Sequence, residues 1–186
     1  MKRLITGAVI LLVAISSTAA ICSPKKLIET SDYSDKDFRK CNITDYSDMV
    51  EGDDVDWVWV KQGETLSQYK LKVGGFENKS DMRSKSLVDQ SKNIFKDAFA
   101  DSDVKSDKTL VADICIYDAQ NMNMAKAYIP FVGAHQMQAG MGIEMLLINK
   151  DNTPVAKLRH FARKGMQLEV AAQEATSDLL KYIYKH

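Results

Sequence analysis

The chain has 186 residues, which is enough for one compact domain with an extension, and at that length no disulfide framework is needed to fold it. Its 25 Lys and Arg residues balance its 25 Asp and Glu residues, so no net positive charge attracts a phosphate backbone. These values exclude a disulfide-dense miniprotein, and we expect no nucleic-acid partner.

Residues 1–20 have the organisation of a secretory signal peptide. A basic start precedes the apolar run Leu4–Ile15, and small residues follow it. Thr18 and Ala20 occupy the −3 and −1 positions of a predicted cleavage site after Ala20. The alternative is a membrane anchor, but the apolar run is too short to span a bilayer comfortably. The sequence therefore predicts export to the bacterial periplasm or association with the outer membrane.

Three cysteines follow, and in an oxidising compartment an odd number leaves one thiol unpaired. Cys22 and Cys41 both lie in segment 21–56, which reads as polar and irregular, so the predicted disulfide is Cys22–Cys41. Cys115 lies in an apolar strand and is interpreted as a small buried hydrophobic residue. Acylation of Cys22, with peripheral membrane association as a lipoprotein, is the alternative to the bridge, although Ile21 is a poor match for such a site.

The remaining chain alternates strand and helix patterns and is expected to be a single domain over residues 57–186. Apolar alternation predicts strands, and apolar residues at helical spacing predict two amphipathic helices. A four-residue turn between the last two strands predicts a β-hairpin. The predicted fold class is α+β: a four- or five-stranded mixed sheet with two helices packed on one face, in β-β-α-β-β-β-α order. The predicted strands are 57–60, 69–76, 109–118, 141–149 and 154–163, and the predicted helices are 81–101 and 168–184.

The connection before the fourth strand carries the most unusual local chemistry. His135 and Met137 are two residues apart, and imidazole with thioether sulfur suits Cu(I), so a periplasmic copper-binding protein is one hypothesis. Further sulfur donors would be Met122, Met124 and Met141. The alternative is that these methionines fill an irregular gap where a loop meets the core.

The same connection, from Tyr128 to Gly140, is also the predicted interaction loop, together with the open face or edge of the sheet. Its candidate contact residues are Tyr128, Phe131, His135 and Met137. No nucleophile elbow, zinc-protease helix or paired CxxC motif occurs anywhere in the chain. We therefore expect a non-enzymatic protein without a cofactor, and a hydrolase is the least favoured hypothesis.

The layout resembles a family of secreted bacterial envelope proteins, many of them lipoproteins, which is described only as a domain of unknown function. The resemblance covers about residues 57–186. It rests on a Trp-x-Trp strand, the strand Tyr69–Phe76, a helix, and a Gly/Ala loop before Ile143–Ile148. The family often has an Arg before a Gly-rich stretch at this loop, whereas here no Arg precedes the loop, and His135 and Met137 lie within it.

Similar layouts occur in envelope accessory lipoproteins that assist lipopolysaccharide or lipid transport, and in small domains of envelope assembly proteins. The resemblance implies an accessory or binding role in the cell envelope. The partner would be another envelope protein or a lipid or glycan component.

Overall fold

The computed structural model describes Leu27 and residues 41–122 and 137–186. Six strands in these residues form one mixed sheet, and two helices pack on it. The strands are β1 Val50–Glu51, β2 Trp57–Val60, β3 Lys70–Asn78, β4 Thr109–Gln120, β5 Gly140–Ile148 and β6 Pro154–Arg163. The helices are α1 Lys85–Ala100 and α2 Leu168–Lys185, and a short 3₁₀ turn occupies Leu66–Gln68.

The sheet order is β1-β2-β6-β5-β4-β3, and only the β3–β4 pair is parallel. Helix α1 makes the crossover between these two strands, as a parallel pair requires. The predicted α+β class with a mixed sheet is therefore confirmed. The number of strands was predicted too low, because β1 has only two residues, too few to show alternation in the sequence.

The predicted hairpin is confirmed as β5–β6, with the two strands antiparallel over almost their whole length. The Asn149 side chain accepts hydrogen bonds from the amides of Asp151 and Thr153, at 2.9 and 3.0 Å. Asn152 adopts a left-handed conformation with φ of 56°, which asparagine tolerates better than most residues. Local side-chain chemistry therefore fixes the turn and, through it, the register of the two strands.

Both helices lie on the same sheet face and contact each other. Helix α1 begins at Lys85, later than predicted, because the Ser84 side chain caps it by accepting from the Leu87 amide. The sheet side of the core consists of alternate residues of β4, β5 and β6. These core residues are Leu110, Ala112, Ile114, Ile116, Met141, Ile143, Met145, Leu147, Ala156, Leu158 and Ala162.

Along the described residues, no helix is both long and apolar enough to cross a membrane.

Candidate functional site

The sheet face opposite the helices, which we call the second face, carries closely packed charged and aromatic side chains. Because side chains alternate along a strand, Lys157, Arg159, Phe161 and Arg163 of β6 all point to this second face. The strand pairing places a row of residues across it: Cys115 opposite Glu144, Glu144 opposite Arg159, and Arg159 opposite Trp57. Apolar, acidic, basic and aromatic side chains therefore meet on this face.

Residues 41–49, which we call the covering segment, close one part of the second face. Ile43, Tyr46 and Met49 are buried there and pack against Trp57 and Trp59. The segment precedes β1, so it joins the edge strand of the sheet directly. Residues that were predicted to belong to a polar, irregular segment therefore form a second small hydrophobic cluster.

A disulfide between Cys41 and Cys115 joins the covering segment to β4, with 5.8 Å between the Cα atoms. The predicted Cys22–Cys41 pairing is therefore wrong in its partner, and so is the interpretation of Cys115 as a free buried thiol. Cys22 lies outside the described residues. The physical reason is that Cys115 points to the second face, where the covering segment passes directly over it.

Under the covering segment lies a stack of three groups that we call the inner stack: Gly142, Tyr117 and Arg159. The Tyr117 ring lies on Gly142 so closely that a Cβ there would come within 2.5 Å of the ring. The Arg159 guanidinium carbon lies 3.5 Å from the centre of the same ring. Glycine at 142 therefore provides the room in which a tyrosine and an arginine pack flat on the sheet.

The charge of the inner stack is balanced inside the protein. The Arg159 guanidinium contacts the Glu144 carboxylate, and the two residues are only 4% and 2% exposed. The Tyr46 hydroxyl donates to Glu144 Oε1 at 2.8 Å. Burial raises the pKa of Glu144, while Arg159 and Tyr46 offset part of that effect. Burial also raises the pKa of Tyr117.

Lys157 continues the same pattern at the rim of the covering segment. Its ammonium lies 5.0 Å from the centre of the Trp59 ring. It also lies 2.9 Å from both the Asp45 carbonyl oxygen and Asp48 Oδ1, so the covering segment supplies its counter-charge.

The outer stack is a second set of three groups, Gly140, Phe161 and Arg163, at the end of the same strands. A Cβ at Gly140 would come within 2.5 Å of the Phe161 ring, and the Arg163 guanidinium carbon lies 4.9 Å from the ring centre. Phe161 and Arg163 are only half-buried. The outer stack therefore combines the same three kinds of group as the inner one in a looser and more exposed arrangement.

The outer stack lies where the connection from β4 to β5 leaves and rejoins the sheet. Arg163 Nη2 donates to Gln120 Oε1 at 2.6 Å, and Nη1 donates to the Gln138 carbonyl oxygen at 3.3 Å. Gln120 ends β4, and Gln138 precedes β5. One arginine thus ties together the two ends of the connection that contains the predicted interaction loop.

His160 lies next to Phe161 but points to the helix face. Its ring nitrogens lie 3.5 Å from Asp56 Oδ2 and 3.2 Å from Asp178 Oδ2 of α2. Burial opposes its protonation, but Asp56 and then Asp178 outweigh burial, so the pKa of His160 is raised. Asp56 Oδ2 also accepts from the Phe161 amide at 2.7 Å, which links this cluster to the backbone of the outer stack.

The residues predicted for metal binding or interaction are only partly described. Tyr128, Phe131, His135 and Met124 lie outside the described residues. Met122 and Met137 are half-buried near the two ends of the connection, and Met141 is fully buried in the core on the helix face. Within residues 27, 41–122 and 137–186, no three His, Cys, Asp or Glu side chains are grouped closely enough to hold a metal ion.

The sequence reasoning did not single out Glu144, Arg159, Phe161 or Arg163. One signal was present, because Glu144 interrupts an otherwise apolar strand and an acid in such a place needs a buried partner. The two glycines of β5 were a second signal, since a glycine in a strand often marks a close approach by another group. Neither signal indicates which side chains fill the space.

Comparison with protein-family models and with curated proteins gives no match. Among solved structures, the chain is similar to the PelC dodecamer from Paraburkholderia phytofirmans, in one unsubstituted crystal form and in one with a single substitution. Each comparison has a TM-score of 0.45 and 9% identity and covers 68% of this chain and 95% or 96% of the PelC chain. A TM-score below 0.5 does not establish a shared fold, so the candidate site rests on its own geometry.

Proposed function

We propose that the protein is a non-enzymatic accessory protein of the bacterial cell envelope that binds another envelope component through its outer stack. The observation that carries this proposal is the contrast on the second face: the inner stack is covered and neutralised, and the outer stack is half-exposed. Aromatic and arginine side chains are the residues that dominate binding energy at interfaces. The outer stack presents one of each in a fixed orientation.

Its place in the fold also supports a binding role. The outer stack adjoins a connection of more than 15 residues between β4 and β5, two neighbouring antiparallel strands that a short turn could join. Long insertions at such positions usually serve function, since the fold does not require them.

Two further features support an envelope location. Residues 1–20 read as a signal peptide. The Cys41–Cys115 disulfide is typical of a protein that folds in an oxidising compartment. The proposed location is the periplasm or the periplasmic side of the outer membrane, and the proposed partner is an envelope protein or a lipid or glycan component.

Photo-cross-linking in intact cells tests the proposal. A photo-reactive amino acid replaces Met166, which is 71% exposed and follows Gly165, whose carbonyl accepts from the Ala139 amide beside the outer stack. The control position is Asp151, exposed in the β5–β6 turn at the opposite end of these strands. We expect one partner to be captured from position 166 and not from 151, and to be lost in Phe161→Ala. The same products from both positions would contradict the proposal.

A copper-binding protein is the alternative that we also propose to test. It is favoured by Met122 and Met137, two half-buried thioethers near the two ends of a connection that contains His135. Titration of the protein with Cu(I) should then give a stoichiometry that falls in the His135→Ala, Met137→Ala double variant. An unchanged stoichiometry would remove this alternative.

A further inference from the structure

We propose that the outer stack is a binding site for an oxyanion of the partner, a carboxylate or a phosphate group, held by Arg163 beside the Phe161 ring. This inference rests on the proposed binding function and names the chemistry that the partner presents. Arg163 is a recognition residue in this scheme, and Phe161 and Gln120 fix its orientation.

The guanidinium of Arg163 is already oriented before any partner arrives. Its bonds to Gln120 and Gln138 use two of its five N–H donors and leave three. Gln120 is itself held, because its amide Nε2 donates to Asp118 Oδ2 at 2.6 Å, which turns its carbonyl oxygen towards Arg163. An arginine held in this way loses little side-chain freedom on binding, and that favours affinity.

The acceptors to which Arg163 donates are neutral, and this sets it apart from Lys157 and Arg159 on the same strand. Among the described residues, no carboxylate lies within ion-pair distance of Arg163, whereas Lys157 contacts Asp48 and Arg159 contacts Glu144. The adjoining connection, residues 121–139, contains Lys126 and His135 but no Asp or Glu. The connection therefore has no carboxylate to offer Arg163, and a bound anion could take that place.

The Phe161 ring adds an apolar surface next to the positive charge of Arg163. It is half-buried, packs on Gly140, and has the guanidinium at one side. Ligand groups next to an oxyanion, such as a sugar ring or an alkyl chain, can lie against the exposed part of such a ring. Carboxylates and phosphates are the anions that a planar guanidinium binds through two parallel hydrogen bonds.

Nuclear magnetic resonance titration of the purified, disulfide-bonded protein tests the site. The probes are inorganic phosphate, glucuronate as the carboxylate, and neutral glucose, and the readout is the shift of backbone amides and arginine Nε–H signals. We expect saturable shifts at Phe161, Arg163 and Gln120 with at least one anion and not with glucose. Saturation with phosphate would identify a phosphate group as the oxyanion, and saturation with glucuronate would identify a carboxylate.

Matched variants make the test specific. Arg163→Gln should weaken anion binding by about tenfold or more, which corresponds to about 1.4 kcal/mol. Arg163→Lys should restore it only partly, because an ammonium cannot form the two parallel bonds. Arg83→Gln removes the same charge from an exposed position just before α1 and should leave binding unchanged.

Two results would overturn the inference: no saturable anion binding, or equal weakening of anion binding in Arg163→Gln and Arg83→Gln. The cross-linking experiment separates the two proposals. If a partner is captured but no anion binds, the proposed function is supported and this inference is wrong. If an anion binds but no partner is captured, the oxyanion site is supported and the proposed function is wrong.

Discussion

Two arginine–aromatic stacks lie side by side, the inner one on β4, β5 and β6 and the outer one on β5 and β6, and they differ in what surrounds them. The inner stack is covered by residues 41–49, and Glu144 lies against its arginine. The outer stack contains the same three kinds of group but is half-exposed, and its arginine donates to neutral acceptors among the described residues. One local arrangement thus serves stability where it is closed, and we propose that it serves binding where it is open.

The largest expected effect comes from removing the buried carboxylate of the inner stack. Glu144→Gln keeps the side-chain shape but takes away the charge that lies against Arg159, and breaking a buried pair in this way costs about 3 to 5 kcal/mol. Urea unfolding measures the free energy of unfolding. Asp48→Asn is the matched control, because it removes a carboxylate from the partly exposed Lys157 pair and should cost less than about 1 kcal/mol. Equal losses in the two variants would show that charge does not hold the inner stack.

The second effect concerns the disulfide that joins the covering segment to β4. Replacing Cys41 and Cys115 together by Ser should lower the free energy of unfolding by about 2 to 4 kcal/mol, because the bridge joins residues far apart in the chain. Anion binding at the outer stack should persist, since the bridge lies on the other side of the inner stack. Cys22→Ser is the control and should leave the unfolding midpoint unchanged. If Cys22→Ser lowered the unfolding midpoint as much as the double variant does, the Cys22–Cys41 bridge expected from the sequence would be supported instead.

The disulfide also shows where sequence reasoning stops. Alternation along β4 places Cys115 on the same face as Asp113 and Tyr117, and that much is visible in the sequence. Which chain segment covers that face depends on Ile43, Tyr46 and Met49, three apolar residues scattered among polar ones. They have no strand or helix period, so a polar, irregular segment was the natural interpretation.

The elements that were predicted well are those that carry their own local pattern. Helix α1 has an apolar stripe through Leu87 and Phe95, and the β5–β6 hairpin has two alternating strands around Asn149. The candidate site has no such pattern. Gly140 and Phe161 meet diagonally across two strands, and their contact follows only once the register of β5 against β6 is known.

The third effect compares the glycines of the two stacks directly. Gly142→Ala places a methyl group 2.5 Å from the Tyr117 ring, which has little room to move because it is buried and contacts the Arg159 guanidinium. Overpacking of this kind costs about 1 to 3 kcal/mol. Gly140→Ala meets the Phe161 ring at the same distance, but that ring is half-exposed and can turn away, so the loss should stay below about 1 kcal/mol.

Anion binding reverses this order. Displacing Phe161 disturbs the site at Arg163, so Gly140→Ala should weaken binding more than Gly142→Ala does. The two measurements, unfolding in urea and anion titration, therefore rank the two variants in opposite directions. If the same variant had the larger effect in both measurements, the two stacks would not have separate functions.

The smallest effect is the pH dependence of the Asp56–His160 link behind the outer stack. His160 has a raised pKa in the folded protein, so its stabilising contribution is fully present below its unfolded pKa and is lost as the pH rises through the folded value. The carboxylates that face it are Asp56 and Asp178, and Lys181 already pairs with the latter at Asp178 Oδ1. The stability difference between the native protein and His160→Gln should therefore be largest below the ordinary histidine pKa of about 6.5 and shrink as the pH rises above it. Because Asp56 also accepts from the Phe161 amide, the amide signal of Phe161 should follow the same titration, and a signal that stays constant would separate the histidine from the outer stack.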